Sequence, residues 1–268
     1  MNFSHVYAVI ARVYFLVRTN PVRLIPMFLW SILTIVLWGF IAKYLVLVAG
    51  TTGSVLAVQF IGAILFWEFL NRVMHSFVMA FLEDVWARNF LNYFASPLTV
   101  SEYITGLTSV SAVMSVLAFL VMAVIASLVF DISLAVYGLF LIPLLLSLYL
   151  FGIALGIFGA ALVFRFGPAA EWLLWPIPAV VTPFVGVFYP VSILPQWMQS
   201  IGLALSPTYA FEGMRQIIAG NAVSDMTVLL ALGGALGALI LAYVFFLFIY
   251  KRAVRTGLLA RYSAESVS

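Results

Sequence analysis

The stretch ITGLTSVSAVMSVLAFLVMAVIASLVF, Ile104 to Phe130, contains no charged residue. Crossing ~30 Å of hydrocarbon takes about 20 apolar helical residues, so this stretch alone is long enough to span a bilayer. The rest of the chain offers no polar shell to enclose it. Of 268 residues, 66% are hydrophobic and 8% charged, with a mean hydropathy of +1.21. Ordinary soluble domains are about half apolar and about a quarter charged. There are too few charges to cover a globule of this size, so lipid must cover it.

Working outward, the same length test finds five more stretches. Leu24 to Ala49 holds one charge, Lys43, near its far end, and Val55 to Leu82 is long and apolar but holds Glu68, Arg72 and His75. Leu134 to Phe164 is charge-free and contains Pro143, which is expected to kink it. Leu173 to Phe188 is short and carries Pro176, Pro178 and Pro183, and Thr227 to Tyr250 completes the set. The expected fold is a single all-α integral membrane domain over residues 1–268 with six transmembrane helices: 24–49, 55–82, 104–130, 134–164, 173–188 and 227–250. An even number places both termini on one side. The basic residues agree: Arg12, Arg18, Arg23, Arg88, Arg165, Lys251, Arg252, Arg255 and Arg261 fall on the terminus side, against Lys43 and Arg215 opposite. Positive charge collects on the cytoplasmic side, so both termini are read as cytoplasmic.

The first twenty residues lack a compact apolar core followed by a small-residue cleavage site, and His5, Arg12 and Arg18 run through them, so they read as part of the mature chain. Phe3, Tyr7, Ile10, Tyr14 and Val17 recur at helical spacing with His5 and Arg12 off that stripe. This is either an interfacial helix over 1–20, broken at Asn20-Pro21, or a plain extension of the first span.

Residues 83–103 form the most informative loop. Glu83 and Asp84 would suit the positive end of a short helix. Trp86, Phe90, Tyr93 and Phe94 then recur beside Arg88, Asn89 and Asn92, Ser96-Pro97 stops the helix, and Thr99 to Glu102 matches a T-x-x-E capping box for the next one. A short helix parallel to the membrane is thereby bracketed. Its aromatic face rests on lipid headgroups or docks a cytoplasmic partner, and the residues alone favour neither. On the other side, 189–221 is apolar but interrupted by Pro190, Pro195, Gly202, Pro207 and Gly213. Val191 to Leu205 and Thr208 to Ala219 are each too short to cross. Irregular backbone at membrane depth must be buried in protein or face water, which favours a re-entrant hairpin lining a pathway over an interfacial pair lying in lipid.

Glu68, Arg72 and His75 lie within a span, where ionisable side chains mark ion or proton paths. Glu68 and Arg72 also stand one turn apart and can neutralise each other structurally. Gly152/Gly156 and Gly233/Gly237 make G-x-x-x-G faces that permit close helix approach, most simply within one subunit. Trp172, Trp175 and Trp197 read as interfacial anchors.

Much chemistry is excluded. Without cysteine there is no disulfide or thiolate site, and with His5 and His75 as the only histidines an imidazole metal site is not expected. The only lysines, Lys43 and Lys251, follow no Gly-rich phosphate loop, and neither G-x-S-x-G nor H-E-x-x-H occurs. A basic balance of +3 on so apolar a chain does not indicate nucleic-acid binding.

Three blocks carry a resemblance: the six-span order behind an amphipathic start; Leu91-Asn92-Tyr93-Phe94-Ala95-Ser96-Pro97-Leu98-Thr99 with Glu102-Tyr103; and Tyr189-Pro190-Val191-Ser192-Ile193-Leu194-Pro195 leading to Pro207-Thr208-Tyr209-Ala210-Phe211-Glu212-Gly213-Met214-Arg215. Over nearly its whole length the chain resembles the permease subunit of type-2 ABC exporters, without the Arg-Tyr-rich start of many polysaccharide exporters. The resemblance implies that 83–103 is a loop whose helix seats in an ATPase groove, with Trp86, Arg88, Phe90, Tyr93 and Phe94 as coupling residues. It implies re-entrant helices around Pro190, Pro195, Pro207, Tyr209, Glu212 and Arg215. It also implies a second permease copy, a separate ATPase that binds the ATP, a bacterial cytoplasmic-membrane location, and an amphiphilic, lipid-like, glycan or drug-like cargo. The chain itself is then neither an enzyme nor a cofactor binder. A proton-coupled carrier or channel using Glu68, Arg72 and His75 is the alternative, weakened by the lack of an internal repeat between the halves. The purified chain alone is expected to hydrolyse no ATP, and steady hydrolysis by a preparation free of other polypeptides would contradict this.

Overall fold

The computed structural model describes residues 1–87 and 89–256, without the side chains of Arg23, Pro26, Met27, residues 49–55, Leu91, Phe94, Ala95 and Pro168. Among these residues there is helix and turn but no strand. Five helices are long and apolar enough to cross a membrane: Phe28–Val48, Leu56–Trp86, Val100–Phe130, Leu134–Phe166 and Asp225–Arg255, referred to below as the first to fourth spans and the last span. The first two lie within one helical run, Leu24–Trp86, of 63 residues. A straight helix of that length would reach about 95 Å at ~1.5 Å per residue. Instead the run doubles back. Trp38 meets Phe60 with ring centroids 5.4 Å apart, and Arg72 bonds Ser31 at 2.7 Å, so the reversal falls between Val48 and Leu56.

The second span is the axis of the bundle. It packs against the third and fourth spans and is far more buried than the first or last. Its contact with the fourth span is close because Gly152 and Gly156 face Val73 and Phe77: a Cβ added at either glycine would come within 2.9 Å of those side chains. The other pair of small residues behaves differently, since a Cβ at Gly233 or Gly237 would meet nothing within 4 Å. Of the two G-x-x-x-G faces, the first is internal packing and the second lies open.

Several boundaries move from their expected places, each for a local reason. The third span starts at Val100, capped by the Thr99/Glu102 box read from the sequence. Pro143 is not the site of the kink in the fourth span: the backbone breaks at Gly138 (φ +52°), within the 3-10 residues Leu134–Phe140, and the α-helix proper begins at Leu141. Pro143 therefore sits in the first turn, where its missing N–H is not needed. The last span runs to Arg255 and brings Lys251, Arg252 and Arg255 onto the helix.

The segment expected as one short span over 173–188 is not a single helix. It forms a 3-10 stretch, Pro168–Leu173, a short helix, Pro176–Val181, and turns thereafter. Pro176, Pro178 and Pro183 remove the amide donors a continuous helix would need. The broken segment nevertheless follows the second span over most of its length. Trp86 Nε1 donates to Glu171 Oε2 at 3.0 Å, the Trp175 ring lies 5.1 Å from His75, and Phe188 lies 5.4 Å from Phe60. Phe60 and Trp86 are about 39 Å apart along a helix at ~1.5 Å per residue. Residues 171–188 cover that distance at about 2.3 Å per residue, between the rise of a helix and that of a strand.

Gly152→Ala, which drives a methyl into Val73 and the Leu70 carbonyl, is expected to lower stability by about 1–3 kcal/mol, the usual range for overpacking. Gly237→Ala is expected to cost the chain's own fold nothing. Thermal unfolding of the two variants in detergent measures the contrast.

Candidate functional site

One end of the bundle gathers the residues that the sequence singled out for coupling. The short helix is Phe90–Ala95, six residues between Trp86 and the third span. Its aromatic side points inward. Phe90 lies 5.4 Å from Phe81, 5.0 Å from Phe164 and 6.2 Å from Tyr103, and Tyr93 lies 5.4 Å from Tyr103. Phe164 in turn meets Phe246 and Tyr250 of the last span. Phe90 and Tyr93 are therefore half-buried against the second, third and fourth spans, with the last span reached through Phe164. The exposed edge consists of Trp86, Ala87, Asn92, Ser96 and Pro97. Arg88 and the Phe94 side chain lie outside the described residues.

Beneath this helix lies a residue expected at a helix start. Asp84 is 0% exposed and does not cap the start of a helix. The second span runs on to Trp86, so Glu83 and Asp84 stand at its carboxyl end, where the helix dipole does not favour acid. What holds Asp84 is a complete set of donors. Oδ1 accepts from Arg12 Nη1 and from the Tyr93 hydroxyl at 2.9 Å; Oδ2 accepts from Arg12 Nη2 at 2.8 Å and from the Tyr103 hydroxyl at 2.7 Å. A carboxylate offers about four acceptor positions, and all are filled. Arg12 also lies 5.8 Å from the centre of the Tyr93 ring. Burial raises the Tyr93 phenol above its ordinary value more than Arg12 lowers it, so at neutral pH it keeps the proton it donates.

Arg12 comes from the N-terminal helix, Phe3–Thr19. That helix buries Val6, Val9 and Val13 against the third span, with Val9 filling the space left by Gly106. The stripe read from the sequence faces away: Phe3, Tyr7 and Tyr14 are exposed, while Ile10 and Val17 are partly covered. At its start the helix also holds Glu102. Asn2 N donates to Oε1 at 2.6 Å, and His5 Nδ1 lies 2.9 Å from Oε2, which also accepts from Thr99 N at 3.0 Å. His5 is thus engaged with a carboxylate. Among the described residues no group of acidic residues and histidines suits a metal.

At the opposite end, helices Gln196–Ala204 and Ser206–Ile218 join through Leu205. Ser206 approaches Gly234, nine residues into the last span, while Phe211 meets Phe66 and Trp67 of the second. Pro207 is buried in the first turn of its helix; Pro190 and Pro195 are exposed and start a 3-10 turn and a helix respectively. Glu212 Oε1 accepts from Val191 N at 3.0 Å, Arg215 Nε donates to Glu212 Oε2 at 3.2 Å, and Arg215 Nη1 donates to the Gly186 carbonyl at 2.7 Å. The Tyr209 hydroxyl donates to the Leu203 carbonyl at 2.7 Å. Glu212 and Arg215 therefore fasten the irregular 186–191 backbone to this hairpin, where Gly186 adopts φ +63°.

The intramembrane cluster is more loosely tied than its spacing suggested. Arg72 is attracted to Glu68, but its Nη2 donates to Ser31 Oγ on the first span. His75 packs on Trp175 of the broken segment. Arg72 and His75 thus face the seam between the first span and that segment, whose far end is closed where Trp38 stacks on Phe188 at 5.9 Å.

The model of the ABC-2 type transporter family matches residues 7–219. No curated protein matches the chain.

Ser31→Ala removes the acceptor that holds the buried Arg72 charge. A lost hydrogen bond to a charged group costs about 1.5–3 kcal/mol, so the variant is expected to unfold earlier in detergent. In the Arg72→Gln background the same change should cost much less.

Proposed function

The chain belongs to the ABC-2 type transporter family, and from that premise we propose that it is the permease of an ATP-driven exporter. A membrane component of this class leaves ATP hydrolysis to an ATPase subunit. In our reading the ATPase is a separate polypeptide that docks on the exposed edge of the Phe90–Ala95 helix. One observation carries this reading. The inward aromatic side of that helix touches the second, third and fourth spans and reaches the last through Phe164, so a push on its outer edge is passed into the bundle.

The topology we propose has six crossings, the broken 168–188 segment being the fifth, with both termini cytoplasmic in a bacterial inner membrane. Its support is the course of that segment along the second span and the basic residues, Lys251, Arg252 and Arg255 among them, at the coupling end. The hairpin Gln196–Ile218 then enters from the outer side and returns to it, with Ser206 as its deepest point, and caps the path. One such bundle encloses little space of its own. A second copy completes the path, and the open Gly233/Gly237 face of the last span is available for close approach of a neighbour. The cargo is an amphiphile, in keeping with a seam between the first span and the broken segment that sets the rings of Trp38, Trp175 and Phe188 beside Arg72 and His75.

The test is affinity purification from native membranes, scored by the ATPase recovered. Asn92→Trp and Ser96→Trp place bulk on the docking edge and are expected to cut recovery about tenfold or more, an interface loss of ~1.4 kcal/mol or greater, with membrane yield unchanged. Ser192→Trp at the opposite end is the control. Equal recovery from all three would overturn the assigned docking edge.

A further inference from the structure

The helix proposed to receive the ATPase is only six residues long, and it is joined to the second span by the turn at Ala87 and to the third by the Ser96-Pro97 break. A force applied to so short an element would be absorbed by bending of its two joints. Both joints are held from outside the loop, and by the same element. On one side stands Asp84, gripped by Arg12; on the other stands Glu102, gripped by the Asn2 amide and by His5. Both carboxylates are buried, at 0% and 3% exposure. Asn2 and Arg12 lie ten residues apart, so about 15 Å of helix at ~1.5 Å per residue bridges the two feet of the loop. The span of the bridge is fixed, because a helix does not stretch. Between the two grips Val9 is seated on Gly106. The outer face carries Phe3, Tyr7, Tyr14 and Phe15, between 57% and 79% exposed, an aromatic surface of the kind that settles at a membrane interface.

We infer that the N-terminal helix is a two-point clamp across the coupling loop, with Asp84 as its main positioning residue, and that the clamp converts motion of the ATPase into movement of the second and third spans. This rests on the reading of Phe90–Ala95 as the ATPase contact. Asp84 acts through other groups and touches neither nucleotide nor cargo. Its two oxygens tie the N-terminal helix through Arg12, the short helix through Tyr93 and the third span through Tyr103, while its own backbone belongs to the second span. Four elements are thus fixed to one carboxylate. If Arg12 releases it, the short helix can rock without carrying the spans.

The chain contains no cysteine, so spin labels can be placed on it at chosen sites. Cysteines introduced at Val129 and Leu229, exposed positions at the end remote from Asp84, report movement there in the complex with its ATPase, reconstituted in lipid. The probe is the change in label–label distance between the ATP-free state and the state trapped with ATP and vanadate. The unaltered complex is expected to show a nucleotide-dependent shift. Arg12→Ala and Asp84→Asn should each abolish most of this shift, while ATP hydrolysis per assembled complex is largely unchanged. The double variant should be no worse than either single one, because the two residues act as one unit. Arg12→Lys keeps the charge but loses the paired contact, and Tyr93→Phe removes one donor. Both should fold where the harsher changes do not, and both should show a reduced shift. A full shift in any correctly assembled Arg12 or Asp84 variant overturns the clamp. Absence of any associated ATPase from the unaltered protein would instead overturn the exporter reading, so the two failures are distinguishable.

Discussion

A carboxylate cannot be buried unless it is paired and hydrogen-bonded, and the arrangement at one end of this protein follows from satisfying Asp84. Coordination by one arginine and two tyrosines leaves little freedom in where those donors stand. Arg12 fixes the angle and height of the N-terminal helix on the third span. Tyr93 sets the rotation of the short helix, which directs Phe90 into the aromatic cluster and leaves Asn92 outside. Tyr103 sets how the third span enters the bundle. A charge pair of this kind does not guarantee stability, since desolvation offsets much of the attraction. What it supplies is position, because the loss of any one donor leaves a buried acceptor unfilled.

The second span plays the corresponding role along the long axis. It is the element against which both irregular parts of the chain are laid: the broken 168–188 segment along one side and the Ser206–Ile218 helix beside Phe66 and Trp67. Irregular backbone within a bilayer is tolerated where protein covers it, and the partnering is visible in detail. Thr182 and Thr208 return their hydroxyls to the carbonyls of Pro178 and Gly202, and Tyr189 donates to the Pro183 carbonyl. The Pro178 and Gly202 carbonyls take these hydroxyls in addition to the Thr182 and Leu205 amides, and the Leu203 carbonyl, which Pro207 deprives of a helical donor, accepts from the Tyr209 hydroxyl.

The fold class was legible because length and hydropathy are properties of a single helix, and a charge-free run such as Ile104 to Phe130 has few alternatives. The Thr99/Glu102 capping box was legible for the same reason, being local. The inward turn of Phe90 and Tyr93 was not, since an aromatic stripe has the same spacing whether it faces lipid, a partner or its own bundle. Asp84 was misplaced because the second span was expected to end at Leu82; carried on to Trp86, it puts Asp84 three residues after Phe81 and seven after Phe77, on the buried face. An acidic residue on such a face, with an arginine off the aromatic stripe of a preceding amphipathic helix, was the available signal for the pair. Nothing in the spacing of Glu68 and Arg72 announced Ser31, which reaches Arg72 only because the chain reverses between Val48 and Leu56.

The two ends of the molecule are tied in different ways, and this limits where it can move. At the Arg215 end, the polar ties run within one continuous stretch, 183–215, which fastens that backbone to the hairpin, while Ser206 and Phe211 pack the hairpin on the last and second spans. At the Asp84 end, the ties run between elements far apart in sequence, so motion there is shared by the N-terminal helix and the second and third spans. The first span meets the rest at Ser31 with Arg72, at Trp38 with Phe60 and Phe188, and at Gly39 and Phe40 with Phe130, while most of its surface is exposed. Its contact with the broken segment consists of stacked rings, which can slide at little cost in area, whereas Gly152 and Gly156 lock the second and fourth spans at close range. The seam that Arg72 and His75 face is therefore held by ring contacts and by the Arg72–Ser31 hydrogen bond, a looser closure than the glycine-mediated approach of the second and fourth spans.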